Sequence, residues 1–459
     1  MLFFRFSHHA FLNTSASLFI SMSLSLMAVG GFGEVGRNCS AIKVDDEIFL
    51  FDLGLHLDRY VALQDDELIP KKFSKKLLIR EGAVPDINLI KNKKQVKAIM
   101  VSHAHLDHVG AVPYLAGDFD CAVHATPFTI AVAKKLVEDK RLVCKNDFIA
   151  HEYNKITKLT DKVSVEFIEV THSTPQTAAI ALHTPYGVVL YVNDFKLDEH
   201  PVIGNKTDVK RLQALKPKVL IIDSLYADVP IHVPSESEAK KQLEKILLNP
   251  AFKGKRILVS TFSSHIARLH ELANIADKLN RKVLFVGRSM SKYLEAAEEV
   301  GVSDLITQKE VVKYSSKARK ALAKAYDASK YLFVVTGGMG EPNAVLSRIV
   351  NEEYLPLQKG DIIVFSNTII PTPAIIEARR KLELDLENKG FVLYRDVHVS
   401  GHGAGLDHQV LLDALKPEFI VPVHGEEKQR SALRKRALAS GMDDEHIIVL
   451  HDGEEFTFE

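Results

Sequence analysis

The stretch His103-Ala104-His105-Leu106-Asp107-His108 constrains this chain more than any other. Three imidazoles and a carboxylate within six residues supply the neutral nitrogen and oxygen donors that zinc and similar divalent metals prefer. Val96, Ala98, Ile99, Met100 and Val101 form an apolar run that stops at Ser102, and Gly110 and Pro113 follow. The pattern predicts a buried strand ending in a loop that carries the histidines. In an extended turn, His103 and His105 face one way and Asp107 and His108 another, so one segment can serve two neighbouring metals. The alternative is a solvated surface loop, which fits less well directly after a buried strand.

A chain of 459 residues that is 46% hydrophobic can bury a sizeable core and form two or three domains. Lys plus Arg and Asp plus Glu number 59 each, so no global field draws a polyanion. A nucleic-acid site is then a local groove. Lys71, Lys72, Lys75, Lys76 and Arg80, or Lys91, Lys93, Lys94 and Lys97, can contribute to one; solvated basic faces are the alternative. Three scattered cysteines, Cys39, Cys121 and Cys144, argue against a disulfide framework or a thiolate zinc knuckle and suit a reducing cytoplasm.

The first 29 residues superficially resemble a secretory leader, but serines interrupt the apolar stretch and no small-residue cleavage site precedes the glycines. No apolar span of about 20 residues could cross a membrane. The expectation is that translation starts at Met22, that Ser23 to Val29 forms the first strand, and that residues 1–21 are a disordered or spurious extension.

Gly31-Phe32-Gly33-Glu34-Val35-Gly36 fits the dinucleotide fingerprint, yet Asn38 to Val44 alternates and leads through Asp45-Asp46-Glu47 into Ile48-Phe49-Leu50-Phe51. That predicts a hairpin with an acidic turn and a tight glycine loop over a site, not a nucleotide-binding helix. From Ser235-Glu236-Ser237-Glu238, read as a capping box, buried strands alternate with helices until strand Ile362 to Phe365 closes the series. Such alternation predicts a doubly wound parallel sheet inserted at 228–366. Further candidate donors follow apolar runs: His172 after Phe167 to Val170, Asp194 after Val188 to Val192, and His424 after Phe419 to Val423.

Asp52, the His103 motif, His172, Asp194 and His424 together resemble the metallo-β-lactamase superfamily, and the insertion resembles the β-CASP cap of its nucleic-acid-processing branch. Asp223, Ser400-Gly401-His402 and Val421-Pro422-Val423-His424 match that branch's three motifs, the last in the form associated with RNA. Gly30 to Asn38, Thr261-Phe262-Ser263-Ser264-His265, Thr336 to Pro342 and His398-Val399-Ser400-Gly401-His402-Gly403 narrow the resemblance to ribonuclease J, in its short archaeal form. Two departures stand out. Gln176 occupies a position where many relatives carry an acid, and Ile370-Pro371-Thr372-Pro373 replaces a Gly-Asn-Glu sequence usual in bacterial members. The chain ends soon after the third motif, which puts the bacterial mode of oligomerisation in doubt.

The resemblance implies an α/β fold: a metallo-β-lactamase αββα sandwich at 22–227, returning at 367–459, with a doubly wound β-CASP domain at 228–366. It implies two zinc ions per chain, with manganese or magnesium also able to support activity. His103, His105 and His172 would hold one ion, Asp107, His108 and His424 the other. Asp194 would bridge them and Asp52 would orient ligands from behind. His402 would protonate the leaving oxygen or hold a phosphoryl oxygen, and Asp223 would fix that imidazole. Ser263, Ser264, His265, His398, Val399, Ser400, Gly401 and His402 would bind substrate, with backbone N–H groups at Ser400, Gly401 and Gly403 cradling a terminal 5′ phosphate. The implied activity is a 5′–3′ exoribonuclease acting on 5′-monophosphate RNA, with a possible homodimer and no membrane partner. An RNA endonuclease of the cleavage and polyadenylation type is the alternative, and a small-molecule metallo-hydrolase a more distant one.

Overall fold

The alternating segments Cys39–Val44 and Glu47–Phe51 pair antiparallel across an Asp45-Asp46 turn. Asp45 takes a left-handed φ of 56° there, which Asp tolerates better than most residues. Leu24–Gly30 pairs with Cys39–Val44 on one side and with Glu455–Phe458 on the other, so the first and last described strands are neighbours. This seven-stranded sheet continues through Val96–Met100, Ala122–Ala125 and Phe148–Ala150. The computed structural model describes residues 23–65, 73–313, 317, 320–322, 327–341, 343–351, 355, 358–369 and 373–459. The expectations for residues 1–21 and Met22, and those for Lys71, Lys72, Pro342 and Ile370-Pro371-Thr372, lie outside the described residues.

A second sheet of six strands runs in the order Phe419–Val423, Val219–Asp223, Gly187–Val192, Ala178–Thr184, Ser164–Glu169 and Thr157–Lys158. The two sheets pack face to face: Leu26, Phe49 and Phe51 meet Phe167, Tyr191 and Val421, with Phe51 and Tyr191 stacked at 4.9 Å. Helix Pro127–Lys140 covers the outer face of the first sheet, and Gly405–Leu415 with Glu427–Ala439 covers that of the second. This is the expected αββα sandwich.

The third sheet is wholly parallel, in the order Glu310–Val312, Lys282–Val286, Tyr331–Val335, Ile257–Thr261, Ile362–Ser366 and Val392–Tyr394. Helices Ile266–Lys278 and Arg288–Glu299 pack on one face, Val345–Val350 and Pro373–Asn388 on the other. The sheet is doubly wound as expected, but Ile362 to Phe365 does not close the series. A further helix and the strand Val392–Tyr394 add an edge beyond it. That strand is short and has no buried residue, although Phe391-Val392-Leu393-Tyr394 forms an apolar run in the sequence. The opening helix of the insertion is Glu236–Leu247, capped by the Ser235 hydroxyl, which accepts from the Ser237 N–H (3.2 Å). Glu238 pairs with Lys241 (2.6 Å) in place of the expected reciprocal cap.

The cap is anchored to the sandwich by Asp139, which pairs with Lys292 (2.9 Å) and Arg288. Lys75 and Lys93, from the two basic clusters, converge on Asp118. The three cysteines are unpaired, and among the described residues no helix is long and apolar enough to cross a membrane.

Candidate metal centre

The donors gather where strands end. Asp52 follows Phe51, Asp194 lies just past Val192, and His424 follows Val423; all three adopt left-handed backbone, at φ 62°, 63° and 51°. Each such residue costs about 1–2 kcal/mol, and the surrounding sheet holds it there. The His103 motif is not extended throughout. His105 precedes one helical turn, Leu106–Val109, which carries Asp107 and His108, with the His108 ring 4.0 Å from that of His103. The turn seats on backbone: Leu53 and Leu55 N–H groups donate to the His108 and Leu106 carbonyls (2.9 Å each). A Cβ at Gly54 would lie 1.6 Å from the Asp107 carbonyl oxygen, so only glycine fits beneath the motif.

Two donor groups result. In the first, His105 Nδ1 lies 3.1 Å from His103 Nε2 and 3.0 Å from His172 Nε2, and Asp194 Oδ2 is 3.3 Å from His103 Nε2. In the second, His108 Nε2 is 3.4 Å from Asp194 Oδ1 and 3.6 Å from Asp107 Oδ2, with His424 Nε2 3.7 and 3.8 Å from the same two oxygens. Asp194 faces both groups, is almost fully buried, and neither of its carboxylate oxygens has a hydrogen-bond partner. One proton cannot satisfy three ring nitrogens that point at one another, and an orphaned buried carboxylate calls for a cation. The donor set, imidazole with carboxylate, fits zinc or a similar divalent ion.

Charge agrees with geometry. Burial, then the neighbouring imidazoles, hold His105 and His172 well below the usual histidine range, so their lone pairs are free. At His108 burial opposes the charge, yet Asp194, Asp107 and Asp52 outweigh it and push the pKa well up. Asp194 is held well below the carboxylate range: burial opposes its charge, and His108, His402, His424 and His103 override it. The pocket demands positive charge.

The outward nitrogen of each imidazole is held by its own partner, which fixes ring and tautomer. His103 Nδ1 meets the Ser102 hydroxyl (3.0 Å), His172 Nδ1 donates to the Gly401 carbonyl (2.6 Å), and His105 Nε2 meets the hydroxyl of Ser264 (3.1 Å). His108 Nδ1 donates to Asp52 (2.8 Å), which also accepts from Tyr191 and Ser102, so Asp52 sits where an orienting carboxylate was expected. Sequence reasoning missed Asn38, whose carboxamide lies 2.8–3.0 Å from His424 Nδ1 and donates to the Asp107 carbonyl (3.0 Å). Asn193 ties Asn38 to Tyr191 (3.2 and 2.8 Å). The available signals were Asn38 closing the glycine loop and Asn193 preceding Asp194. That loop forms no helix; Gly31 accepts from the His424 N–H (3.0 Å), which sets it over the donors.

His402 stands between Asp194 (3.7 Å) and Asp223 (3.4 Å). Burial disfavours its charge, but Asp194, Asp223 and Asp107 outweigh that and push its pKa up to about 9. The His402 N–H donates to the Ser400 hydroxyl (3.0 Å), and a Cβ at Gly401 would meet Ser173 Oγ at 2.8 Å, so the Ser-Gly-His sequence is a turn wedged against the first donor group.

A cleft beside His172 is lined by Ser173, Lys196, Asp198, Glu236, His265, Ser400 and Gly401. Of the residues expected to bind substrate, His265, Ser400 and Gly401 line it. Ser264 is turned to His105, Ser263 bonds to Ser289 (2.8 Å), Val399 is buried, and His398 packs on Phe262 with its Nδ1 unpartnered. The Gly403 N–H donates to the Phe195 carbonyl (2.6 Å), so it does not cradle a phosphate. Lys196, two residues after Asp194, is the buried cation of this cleft and was not anticipated. Gln176 is no partner of the donors: its side chain accepts from the Phe128 N–H (2.7 Å) and caps helix Pro127–Lys140.

Comparison with known proteins agrees in all three parts. Residues 32–245 match the metallo-beta-lactamase superfamily, 254–376 the ribonuclease J beta-CASP domain, and 394–450 a Zn-dependent metallo-hydrolase RNA specificity domain. The chain is 38% identical over 409 residues to ribonuclease J of Pyrococcus abyssi, covering 88% of this chain and 90% of that one. With ribonuclease J of Methanocaldococcus jannaschii it shares 36% over 447 residues, 95% and 99% of the two chains. The crystal structure of a protein of unknown function from Enterococcus faecalis shares the fold, with a TM-score of 0.65 at 19% identity over 95% of this chain and 100% of that one.

Proposed function

Because the chain belongs to the ribonuclease J family of the metallo-β-lactamase superfamily, we propose that it is a metal-dependent ribonuclease that degrades RNA from 5′-monophosphate ends in the 5′–3′ direction. The observation that carries this reading is the convergence of two donor groups on Asp194 beside a cleft lined by Ser400 and Gly401. His103, His105, His172 and Asp194 would hold one zinc ion, and Asp107, His108, His424 and Asp194 a second. Bound there, the ions lower the pKa of water and offset charge on the phosphoryl oxygens.

The chain's own residues do the rest. Water adds to phosphorus and its proton passes to solvent, the bond to the 3′ oxygen breaks, and His402, hydrogen-bonded to Asp223, gives a proton to that oxygen. Asp223 keeps the imidazole turned to the site through Nδ1. The shortened RNA keeps a 5′ phosphate and is the next substrate. Lys196, 3.6 Å from Asp198, and the Ser400-Gly401 turn are the groups that an anionic RNA end would meet in the cleft.

The test uses one RNA as 5′ monophosphate, 5′ triphosphate and circle, with wild type and His105→Ala, with and without chelator. The proposal expects mononucleotides from the monophosphate form alone, lost on chelation and in the variant. Cutting of the circle would make the enzyme an endonuclease, and no metal-dependent cleavage would remove the ribonuclease reading.

A further inference from the structure

The first donor group is completed by the cap. Ser264, at the end of the cap strand Ile257–Thr261, brings its hydroxyl 3.1 Å from His105 Nε2, closer than Ser173 of the sandwich at 3.3 Å. On the cap helix Arg288–Glu299, the buried Tyr293 hydroxyl donates to the carbonyl of Ala104 (2.8 Å), the residue between His103 and His105. That helix is fastened to the sandwich by Lys292 and Arg288 on Asp139. No cap residue makes a comparable contact with Asp107, His108 or His424 among the described residues; their outer partners, Asn38 and Asp52, belong to the sandwich.

We infer that seating of the cap and metal occupancy at the His103/His105/His172 group are coupled through Ser264 and Tyr293, which act as positioning residues for that group alone. Ser264 holds the His105 ring so that Nδ1 faces inward. Tyr293 fixes the peptide that sets the spacing of His103 and His105. Coupling is reciprocal, so metal at this group also tightens the cap on the sandwich. The inference rests on the metal-dependent reading above.

The test is zinc removal from the full-length chain by a graded chelator series, counting bound zinc, for wild type, Ser264→Ala, Ser264→Thr and Tyr293→Phe. Loss of an outer partner of a ligand costs about 10- to 100-fold in metal affinity, so Ser264→Ala gives up one of two zinc ions at about tenfold lower chelator or less. Tyr293→Phe does so about three- to tenfold earlier, as expected for one neutral hydrogen bond. The second ion stays as in wild type, and Ser264→Thr, which keeps the hydroxyl, restores the first. Independently, zinc increases amide-exchange protection of residues 288–299 in wild type and does so less in Tyr293→Phe. Variants that hold both ions like wild type, or lose both together, overturn the coupling while leaving the metal reading intact. Wild type that binds no zinc refutes the metal reading and the coupling with it.

Discussion

Replacing Asp52 by Asn tests whether the second donor group depends on a tautomer set from behind. The Asp52 carboxylate is fully buried and meets only donors: the Ser102 N–H and hydroxyl, the Tyr191 hydroxyl (2.8 Å) and His108 Nδ1 (2.8 Å). An Asn of the same shape offers one acceptor and one NH2, so its NH2 must face at least one of these donors. The Ser102 N–H keeps the oxygen, which turns the NH2 toward Tyr191 and His108. Tyr191 can rotate its hydroxyl, but His108 must move its proton from Nδ1 to Nε2, which removes the lone pair aimed at Asp107 and Asp194. Losing an outer partner of a ligand weakens metal binding by about 10- to 100-fold, or about 1.4–2.8 kcal/mol. Zinc competition with a calibrated chelator, alongside metal counting, should show one ion lost that much more easily and the ion at His103, His105 and His172 retained. Tyr191→Phe keeps the carboxylate and should change affinity by less than about threefold, as one hydrogen bond of modest net worth. Asp52→Asn protein that folds and binds both ions like wild type would refute the tautomer argument.

Asp194→Ala should lose both zinc ions, whereas His172→Ala should lose one, as read by metal content after gel filtration; equal losses would remove Asp194 as the shared ligand. Glu236→Gln should destabilise the cap by about 3–5 kcal/mol in chemical unfolding, because Arg268, fully buried and paired with Glu236 at 2.6 Å, is left without its counter-charge. Burial opposes the Glu236 charge, but His265 and Arg268 override it and hold its pKa below the usual range. Its stabilisation is therefore full above about pH 4.3 and disappears as pH falls below that toward the folded pKa, a loss Glu236→Gln should not show. Gly54→Ala should lower the urea midpoint by an amount equivalent to about 1–3 kcal/mol or more, since its methyl would overlap the Asp107 carbonyl.

The donors were legible because each follows a buried strand, and strands buried on both faces read as continuous apolar runs. The same property exposed the cap sheet as far as Ile362–Ser366, whereas the edge strand Val392–Tyr394 lies in the run Phe391-Val392-Leu393-Tyr394, which was not read as part of that sheet. What stayed hidden are contacts between residues far apart in sequence. Asn38, Tyr191 and Asn193 form one hydrogen-bonded chain only because two sheets bring them together. Gln176 stood where an acid was expected, and its use as a helix cap depends on Phe128 arriving from another element. Ser264 was read as a substrate contact because serine before a helix suggests an anion site, whereas the fold spends its hydroxyl on His105.

The closing of the first sheet by the last strand has a consequence for synthesis. Chains emerge from the ribosome N-terminal part first. A nascent chain that has reached residue 418 already carries the His103 motif, His172, Asp194 and His402. It still lacks the strand Phe419–Val423 that flanks Val219–Asp223, the ligand His424 behind it, and the strand Glu455–Phe458 that pairs with Leu24–Gly30. The second ligand group is therefore incomplete in a nascent chain until His424 has been added and its strand has paired.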